Sequence, residues 1–242
     1  MLCVLDPCRR ENVASNRCAL AIMTKAPVAG NVKTRLTPLL SPEEAAQLNV
    51  CFLRDLAMSI SHACRMSPAV GVAVYTPVGA EAVYENILSE GFVLVPQRGE
   101  NFGERLFFAA EDLFALGFSS VCLINSDSPA VPAANFAEAA IELANPGERI
   151  VLGPSEDGGY YLIGLKKMRR RLFKGIDWST DRVLRQTKQR AVELGLPTHE
   201  LAIGLDVDDQ ASLIRLHNEI FKHDQSTDIA PNTREFLRKV KL

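Results

Sequence analysis

The sequence predicts an α/β protein with a mostly parallel central sheet and helices on both faces. From residue 18 onward, apolar runs of strand length alternate with longer segments of helical period, which is typical of β-α-β crossovers. Hydrophobic residues make up 47% of the 242-residue chain and charged residues 23%, as expected for a globular protein with a sizeable core. We see no run of 18 apolar residues that would predict a membrane helix.

Length and composition also indicate the number of domains and the kinds of partner to expect. We expect a loose N-terminal extension over 1–17, a single domain over 18–225 and a polar tail over 226–242 that is either mobile or an added helix. The net charge of −2 gives no overall basic field that would draw the protein onto nucleic acid or an anionic membrane. The six cysteines form no C-x-x-C pair, and no secretory signal is visible, so a cytoplasmic location is expected.

In the first half, an apolar strand is expected over 18–23. A helix begins at Ser41, where Pro42 and Glu44 complete a capping box. The continuous apolar run 70–75 predicts a buried strand. A helix over 81–89 and a strand over 92–97 follow.

In the second half, Asn101 and Glu104 predict a helix start, and Gly117 its end. The most apolar run, 119–125, predicts a central parallel strand. The remaining predicted elements are helices over 133–143, 181–194 and 210–221 and strands over 149–152, 160–165 and 198–203.

The loop KAPVAGNVKTRL, residues 25–36, leaves the first strand and carries three cations. It matches neither the P-loop nor the dinucleotide fingerprint. Arginine can hold two phosphate oxygens, lysine acts as a point charge, and glycine permits close backbone approach. A solvated surface loop is the alternative, but the position at the ligand edge of the sheet favours a di- or triphosphate. The candidate nucleotide- and phosphate-binding residues are Lys25, Pro27, Gly30, Lys33, Thr34 and Arg35.

Asp127 follows the most apolar strand in the stretch NSDSP. A lone carboxylate there can coordinate Mg²⁺ or Mn²⁺ while phosphates supply other ligands. Alternatively, it caps the helix near Ala133 or forms a turn ahead of Pro129.

The stretch GPSEDGGYYLIGL, residues 153–165, places Asp157 before two glycines, Gly158 and Gly159. Such a turn can present a carboxylate to an acceptor hydroxyl. A plain β-hairpin with a D-G turn is the alternative. Tyr160 and Tyr161 then point to opposite faces of the strand.

Two later stretches complete the candidates. In DVDD, Asp206 and Asp208 share a face if extended and can join Asp127 in a metal site, or Asp208 or Asp209 caps the next helix. In DWST, Trp178 either stacks on a ligand ring or packs near a helix start. The hydroxyls of Ser179 and Thr180 stand beside it.

Together with GERL at 103–106, these stretches occur in an order that resembles the DUF2064 family, also called the radical-SAM/selenodomain-associated transferase 1 family. The family belongs to the nucleotide-diphospho-sugar transferase superfamily with the glycosyltransferase-A fold. The sequence is also similar to the phospholactate guanylyltransferase of coenzyme F420 synthesis. The resemblance covers about 18–220. Asn125 and Ser126 depart from it, since relatives usually have glycine and threonine there.

The resemblance implies a Rossmann-like nucleotide-binding half and an acceptor half. Lys25, Lys33 and Arg35 would hold phosphates, Asp127 and Asp208 a divalent metal. The expected catalytic residues are Lys33, Arg35, Asp127 and Asp157. The expected acceptor-binding residues are Asp157, Gly158, Gly159, Tyr160, Trp178, Ser179 and Thr180.

We therefore expect a metal-dependent transferase that uses a nucleoside triphosphate or nucleotide sugar as donor and a small molecule as acceptor, with Mg²⁺ or Mn²⁺ as cofactor. The cation-rich loop favours nucleotidyl transfer, and NSDSP, with one aspartate and no D-x-D motif, weakens glycosyl transfer. The family label favours sugar transfer instead, so both transfers stay open. The alternative is a non-catalytic nucleotide or nucleotide-sugar sensor with the same fold, and the oligomeric state is left open.

Overall fold

Eight strands form one sheet in the computed structural model, which describes residues 2–9, 16–37, 39–222 and 229–240. The strand order is β1-β4-β3-β2-β5-β7-β6-β8. The strands are β1 (Cys3–Val4), β2 (Cys18–Lys25), β3 (Ala69–Thr76), β4 (Val93–Pro96), β5 (Ser120–Ile124), β6 (Ile150–Pro154), β7 (Tyr160–Leu165) and β8 (Thr198–Glu200). The helices are α1 (Pro42–Met66), α2 (Glu81–Tyr84), α3 (Phe102–Ala115), α4 (Ala133–Ala144), α5 (Val183–Glu193), α6 (Gln210–Lys222) and α7 (Pro231–Leu237).

The sheet is parallel except for β7, which runs antiparallel to both of its neighbours, β5 and β6. The turn between β6 and β7 therefore lies at the same edge as the carboxyl ends of β2 and β5. This edge is where α/β sheets bind ligands. The mostly parallel α/β fold predicted from the sequence is confirmed.

Helices cover both faces of the sheet. On one face, α1, α2 and α4 bury apolar side chains against the strands, with Leu56 and Phe136 fully enclosed. On the other face, α3 and α5 contribute to a second core around Leu113 and Leu123. A third cluster lies beyond the carboxyl edge, where α6 and α7 pack against the start of α1. In the described part of the chain, we find no helix with the length and apolar character needed to cross a membrane.

Several boundaries differ from prediction. The N-terminal extension is not uniformly loose, because Cys3–Val4 pair with β4 and Leu5 is buried. In the polar tail, the described part forms α7, which is the added-helix alternative. The helix predicted over 81–89 ends at Tyr84, and the strand predicted over 198–203 ends at Glu200.

A buried carboxylate fastens α7 to α1. Asp55 is 2% exposed. It accepts hydrogen bonds from the backbone N–H groups of Asn232 and Thr233, both at 2.9 Å, and from their side chains at 2.8 and 2.6 Å. Ala230 is the N-cap of α7 and provides no side-chain cap. Asp55 therefore satisfies N–H groups that a helix start leaves open.

Asp55→Ala is expected to lower the free energy of unfolding by about 2–4 kcal/mol, because it leaves buried donors of α7 unpaired. Urea denaturation followed by circular dichroism measures the change. Asp55→Asn keeps one acceptor oxygen and should lose about half as much. An unchanged urea midpoint for Asp55→Ala would contradict this role.

Candidate active site

A cleft of about 650 Å³ opens at the carboxyl edge of the sheet, within the usual size of small-molecule sites. Three sequence segments singled out above meet there: the loop after β2, the turn after β5 and the β6–β7 hairpin. The segment after β8 and the start of α3 complete the wall. The cleft therefore gathers residues that lie far apart in the chain.

Lys33 lies at the centre of this arrangement. Its backbone is left-handed, with φ of 50°, and its side chain is 5% exposed. The ammonium Nζ lies 2.6 Å from Asp127 Oδ1 and 3.9 Å from Asp208 Oδ1, and it also donates to the Val207 carbonyl. The ring of Phe52 lies 5.2 Å from this nitrogen. The protein thus holds one buried cation among its acidic groups.

The other residues of the 25–36 loop divide into two groups. Lys25, Thr34 and Arg35 line the cleft. Lys25 Nζ donates to the Asn31 carbonyl at 3.2 Å, while Arg35 is exposed. Pro27 and Gly30 lie outside the cleft wall, so the structure does not support direct ligand contact for them. The positive φ of Gly30, 76°, indicates a role in turning the loop.

Three carboxylates form a possible metal site. Asp127, Asp206 and Asp208 each offer an oxygen, and these atoms lie within 4.8 Å of one another. The Val207 N–H donates to the Asp127 carbonyl at 3.0 Å, which ties the two segments together. The family resemblance implies only Asp127 and Asp208 as metal ligands. The alternating spacing of Asp206 and Asp208 predicts in addition that Asp206 lies on the same face.

The structure shows which of the aspartates cap helices and which do not. Pro132, not Asp127, occupies the N-cap of α4, so the capping interpretation of Asp127 is wrong. Asp209 Oδ1 accepts the Ser212 N–H at 2.8 Å near the start of α6, which leaves Asp208 for the cleft. Asn125 Oδ1 accepts the Asp127 N–H at 3.3 Å, so Asn125 helps to shape this turn.

Electrostatics indicate that Lys33 does not neutralise the acidic cluster completely. Burial, followed by repulsion from Asp127 and Asp208, raises the pKa of Asp206 to about 8. Partial burial and Asp127 also raise the pKa of Asp208. Asp206 Oδ1 is buried and has no hydrogen-bond partner among the described residues. Oxygen donors with unmet charge fit a hard divalent cation such as Mg²⁺ or Mn²⁺.

Mn²⁺ affinity is expected to rise with pH. With a pKa of about 8, Asp206 is mostly protonated at neutral pH, and a cation must displace that proton. The association constant should increase up to about tenfold per unit between pH 6 and 8 and level off above. Calorimetry in two buffers of different ionisation enthalpy would count the released protons. A dissociation constant independent of pH across this range would contradict the assignment.

The β6–β7 turn is indeed a hairpin, and it also lines the cleft. Asp157 Oδ1 accepts the Ser155 hydroxyl at 2.6 Å and the Gly159 N–H at 3.0 Å, which fixes the carboxylate. Gly158, with φ of 86°, lies outside the cleft wall, and a Cβ there would meet the Asp181 carbonyl oxygen at 2.3 Å. Gly158 is therefore a packing position between this hairpin and the 177–182 loop.

The remaining predicted acceptor residues also line the cleft, but not all through polar groups. The hydroxyl of Tyr160 is buried beside Thr187, and burial raises its pKa. Trp178 packs edge-on against Phe102, with ring centroids 5.4 Å apart. Ser179 and Thr180 lie in the wall on the same side. Trp178 thus both packs, as its alternative predicted, and borders the ligand space.

Sequence reasoning missed part of the wall. Asn49, on α1, is 4% exposed and lines the cleft with an unpartnered Oδ1 among the described residues. The cleft is also lined by Gln97, Phe102 and Arg105. Arg105 belongs to the GERL stretch, which contributes to the family resemblance. Asn49 lies in a helix whose apolar periodicity predicts only packing.

Comparison with known proteins identifies a family and several relatives. The model of the DUF2064 family, described as uncharacterized proteins conserved in bacteria, matches residues 60–180, which is half of the chain. A 2-phospho-L-lactate guanylyltransferase of Methanothermobacter thermautotrophicus is 26% identical over 213 residues, covering 88% of this chain and 86% of the relative. Its namesake from Methanothrix thermoacetophila is 23% identical over 189 residues, covering 76% and 77%.

Solved structures agree in fold. A protein assigned to the nucleotide-diphospho-sugar transferases, from Desulfovibrio desulfuricans G20, superposes with a TM-score of 0.81 at 26% identity, covering 93% of this chain and 95% of that one. A CMP:2-keto-3-deoxy-manno-octonic acid synthetase complexed with CTP gives a TM-score of 0.54 at 12% identity, covering 86% and 99%. The second likeness shows the fold alone.

Proposed function

The chain belongs to the DUF2064 family, and we propose that it is a metal-dependent nucleotidyltransferase acting on a small-molecule acceptor. One observation carries the proposal: Lys33 of the cation-rich loop contacts Asp127 of the acidic cluster inside one cleft. Cationic groups for phosphate and oxygen ligands for a metal therefore share a single space. The names of the two sequence relatives support nucleotidyl rather than another transfer.

In this reaction, an acceptor oxygen attacks the α-phosphorus of a nucleoside triphosphate. The new oxygen–phosphorus bond forms as the bond to the β-phosphate bridging oxygen breaks, and pyrophosphate leaves. Lys33 and Arg35 hold the phosphate oxygens and stabilise the charge that develops on them, while exposed Lys25 adds a second point charge. Asp127, Asp206 and Asp208 would hold the metal, which supplies Lewis-acid stabilisation of that charge when bound.

Asp157 takes the acceptor side. Its carboxylate is fixed by Ser155 and Gly159, so it can accept a hydrogen bond from an acceptor hydroxyl without first reordering. Ser179 and Thr180 supply further polar groups on this side. The charge pattern therefore runs from cations and metal ligands at the phosphates to a carboxylate at the acceptor.

Glycosyl transfer from a nucleotide sugar is the second candidate, supported by the assignment of the Desulfovibrio structure. NSDSP lacks a D-x-D motif, but Asp206 and Asp208 have that spacing and lie beside Asp127, so the acidic cluster also fits this reaction. Incubation with Mn²⁺ and labelled donors separates the two. Pyrophosphate release supports nucleotidyl transfer, and nucleoside diphosphate release supports glycosyl transfer.

A non-catalytic sensor is the third possibility, and it predicts binding without product. Nucleotide and Mn²⁺ should raise the melting temperature by ligand linkage in all three cases. We expect Arg35→Ala to lose this stabilisation and Asp157→Ala to keep it, because the proposal assigns Arg35 to the phosphates and Asp157 to the acceptor. Equal stabilisation of both variants would contradict this placement.

A further inference from the structure

One amide in the wall of the cleft has no role in the proposed function. Asn49 is 4% exposed and lines the cleft. Its Oδ1 is buried and accepts no hydrogen bond from any residue that the structure describes. A buried acceptor without a partner is unfavourable and is rare in native proteins. A donor that reaches this oxygen in another state of the site would explain why an amide is buried here.

The helix places this amide at the ligand edge of the sheet. Because α1 connects two parallel strands, β2 and β3, it starts near their carboxyl ends and runs back along the sheet. Asn49 lies in the second turn of α1. Leu53 and Leu56, on the same face of the helix, pack in the core beneath the sheet. The amide therefore lies where this face leaves the core and meets the cleft.

The buried cation of the cleft reaches α1 one turn away. Lys33 Nζ lies 5.2 Å from the centre of the Phe52 ring. Phe52 follows Asn49 by three positions, so the two side chains are neighbours on the helix surface. The ammonium has three N–H donors on a flexible four-carbon stem. Rotation of that stem can carry it from Asp127 toward the amide.

Lys33 and a divalent cation need the same oxygen. The ammonium lies 2.6 Å from Asp127 Oδ1. In the proposed function, on which this inference rests, Asp127 is one of the three carboxylates that hold the metal. The ammonium then has to leave this oxygen, and a buried charge without a partner is strongly unfavourable. The uncharged Asn49 Oδ1 offers it an acceptor inside the same cleft.

We propose that Asn49 is a positioning residue for Lys33, and that its amide oxygen accepts the Lys33 ammonium when a divalent cation occupies the acidic cluster. The lysine then stays buried beside the donor phosphates and no longer competes for Asp127. Asn49 acts on metal binding only through Lys33. An amide that touched the metal's water shell or the donor directly would act whether or not the lysine is present.

A double-mutant cycle on the Mn²⁺ affinity of the full-length protein tests this dependence. Electron paramagnetic resonance of free Mn²⁺ at one pH measures the affinity. Asn49→Leu should weaken Mn²⁺ binding about tenfold, the usual effect of losing a hydrogen bond to a charged group. In the Lys33→Met background, the same substitution should change the affinity by less than about twofold. Gln47→Leu removes an exposed amide of the same helix and should leave the affinity unchanged in both backgrounds.

A urea melt of the same samples separates this role from a structural one. Asn49 makes no hydrogen bond that holds the described structure together, so Asn49→Leu should leave the urea midpoint unchanged or raise it. A lower midpoint together with weaker Mn²⁺ binding in both backgrounds would show that the amide only supports the fold. If Asn49→Leu does not fold, Asn49→Ala carries the same cycle with a smaller side chain.

Two further results would overturn the inference. Equal or greater weakening of Mn²⁺ binding by Asn49→Leu in the Lys33→Met background would show that the amide acts without the lysine. Unchanged affinity in both backgrounds would show that it has no part in the site. The proposed function would survive each of these, because the unsubstituted protein still binds Mn²⁺. Failure of the unsubstituted protein to bind Mn²⁺ would overturn the proposed metal dependence as well.

Discussion

Asp206→Asn is expected to abolish metal-dependent turnover, by about 10³-fold or more, while the protein stays folded. The substitution keeps the shape of the side chain and removes a carboxylate from the three that converge in the cleft. Mn²⁺ affinity should fall about hundredfold. Burial and like charge raise the pKa of Asp206 to about 8, so the folded state disfavours its ionised carboxylate. Asparagine carries no charge, and Asp206→Asn should therefore raise the free energy of unfolding by on the order of 1 kcal/mol.

Electron paramagnetic resonance of free Mn²⁺ and a urea melt on the same samples measure both effects. Asp157→Asn is the matched control, since it neutralises a carboxylate of the same cleft outside the triad. It should bind Mn²⁺ within a few-fold of the unsubstituted protein. Full Mn²⁺ affinity in Asp206→Asn would show that the three carboxylates are not a metal site.

Lys33→Met is expected to separate catalysis from metal binding. The ammonium lies 2.6 Å from Asp127 Oδ1, so an incoming cation competes with it for that oxygen. Without the lysine, Mn²⁺ should bind equally well or several-fold more tightly. The kcat/KM for pyrophosphate release should nevertheless fall by about 10²–10³-fold, because a buried cation no longer stabilises the developing phosphate charge.

Lys25→Met provides the comparison, because Lys25 is exposed and bonds only a carbonyl of its own loop in the described structure. Its removal should cost less than about tenfold. Parallel loss of Mn²⁺ binding and turnover in Lys33→Met would mean that the lysine merely holds the acidic cluster in shape. Metal titration on both variants distinguishes these outcomes.

Local chemistry explains which elements the sequence predicts well. Ser41 and Glu44 form the full reciprocal box, with the Glu44 N–H donating to Ser41 Oγ and the Ser41 N–H to Glu44 Oε2. Asn101 caps α3 in the same local way. These capping hydrogen bonds join residues only three positions apart, so the sequence predicts them without knowledge of the fold. The short α2 is different, because its chain turns after Tyr84 to bury Ile87 and Leu88 in the sheet core.

The candidate site shows the same contrast. The sequence places the cation-rich loop and Asp127 at the same edge of the sheet, because each follows a predicted parallel strand. That Lys33 pairs with Asp127 depends on the sheet order, which brings β2 beside β5. Asn49 carries no pattern at all, since a single amide on a buried helix face looks like a packing residue. Long-range contacts of this kind follow from topology and not from local sequence.

The bond from Lys33 to the Val207 carbonyl spans 174 positions of the chain. During synthesis, the basic loop therefore leaves the ribosome long before the segment that completes the pocket. Domains fold as units once their long-range contacts are available. A chain that ends before residue 206 contains Asp127, the partner of Lys33, but lacks the other two carboxylates of the acidic cluster and the Val207 carbonyl.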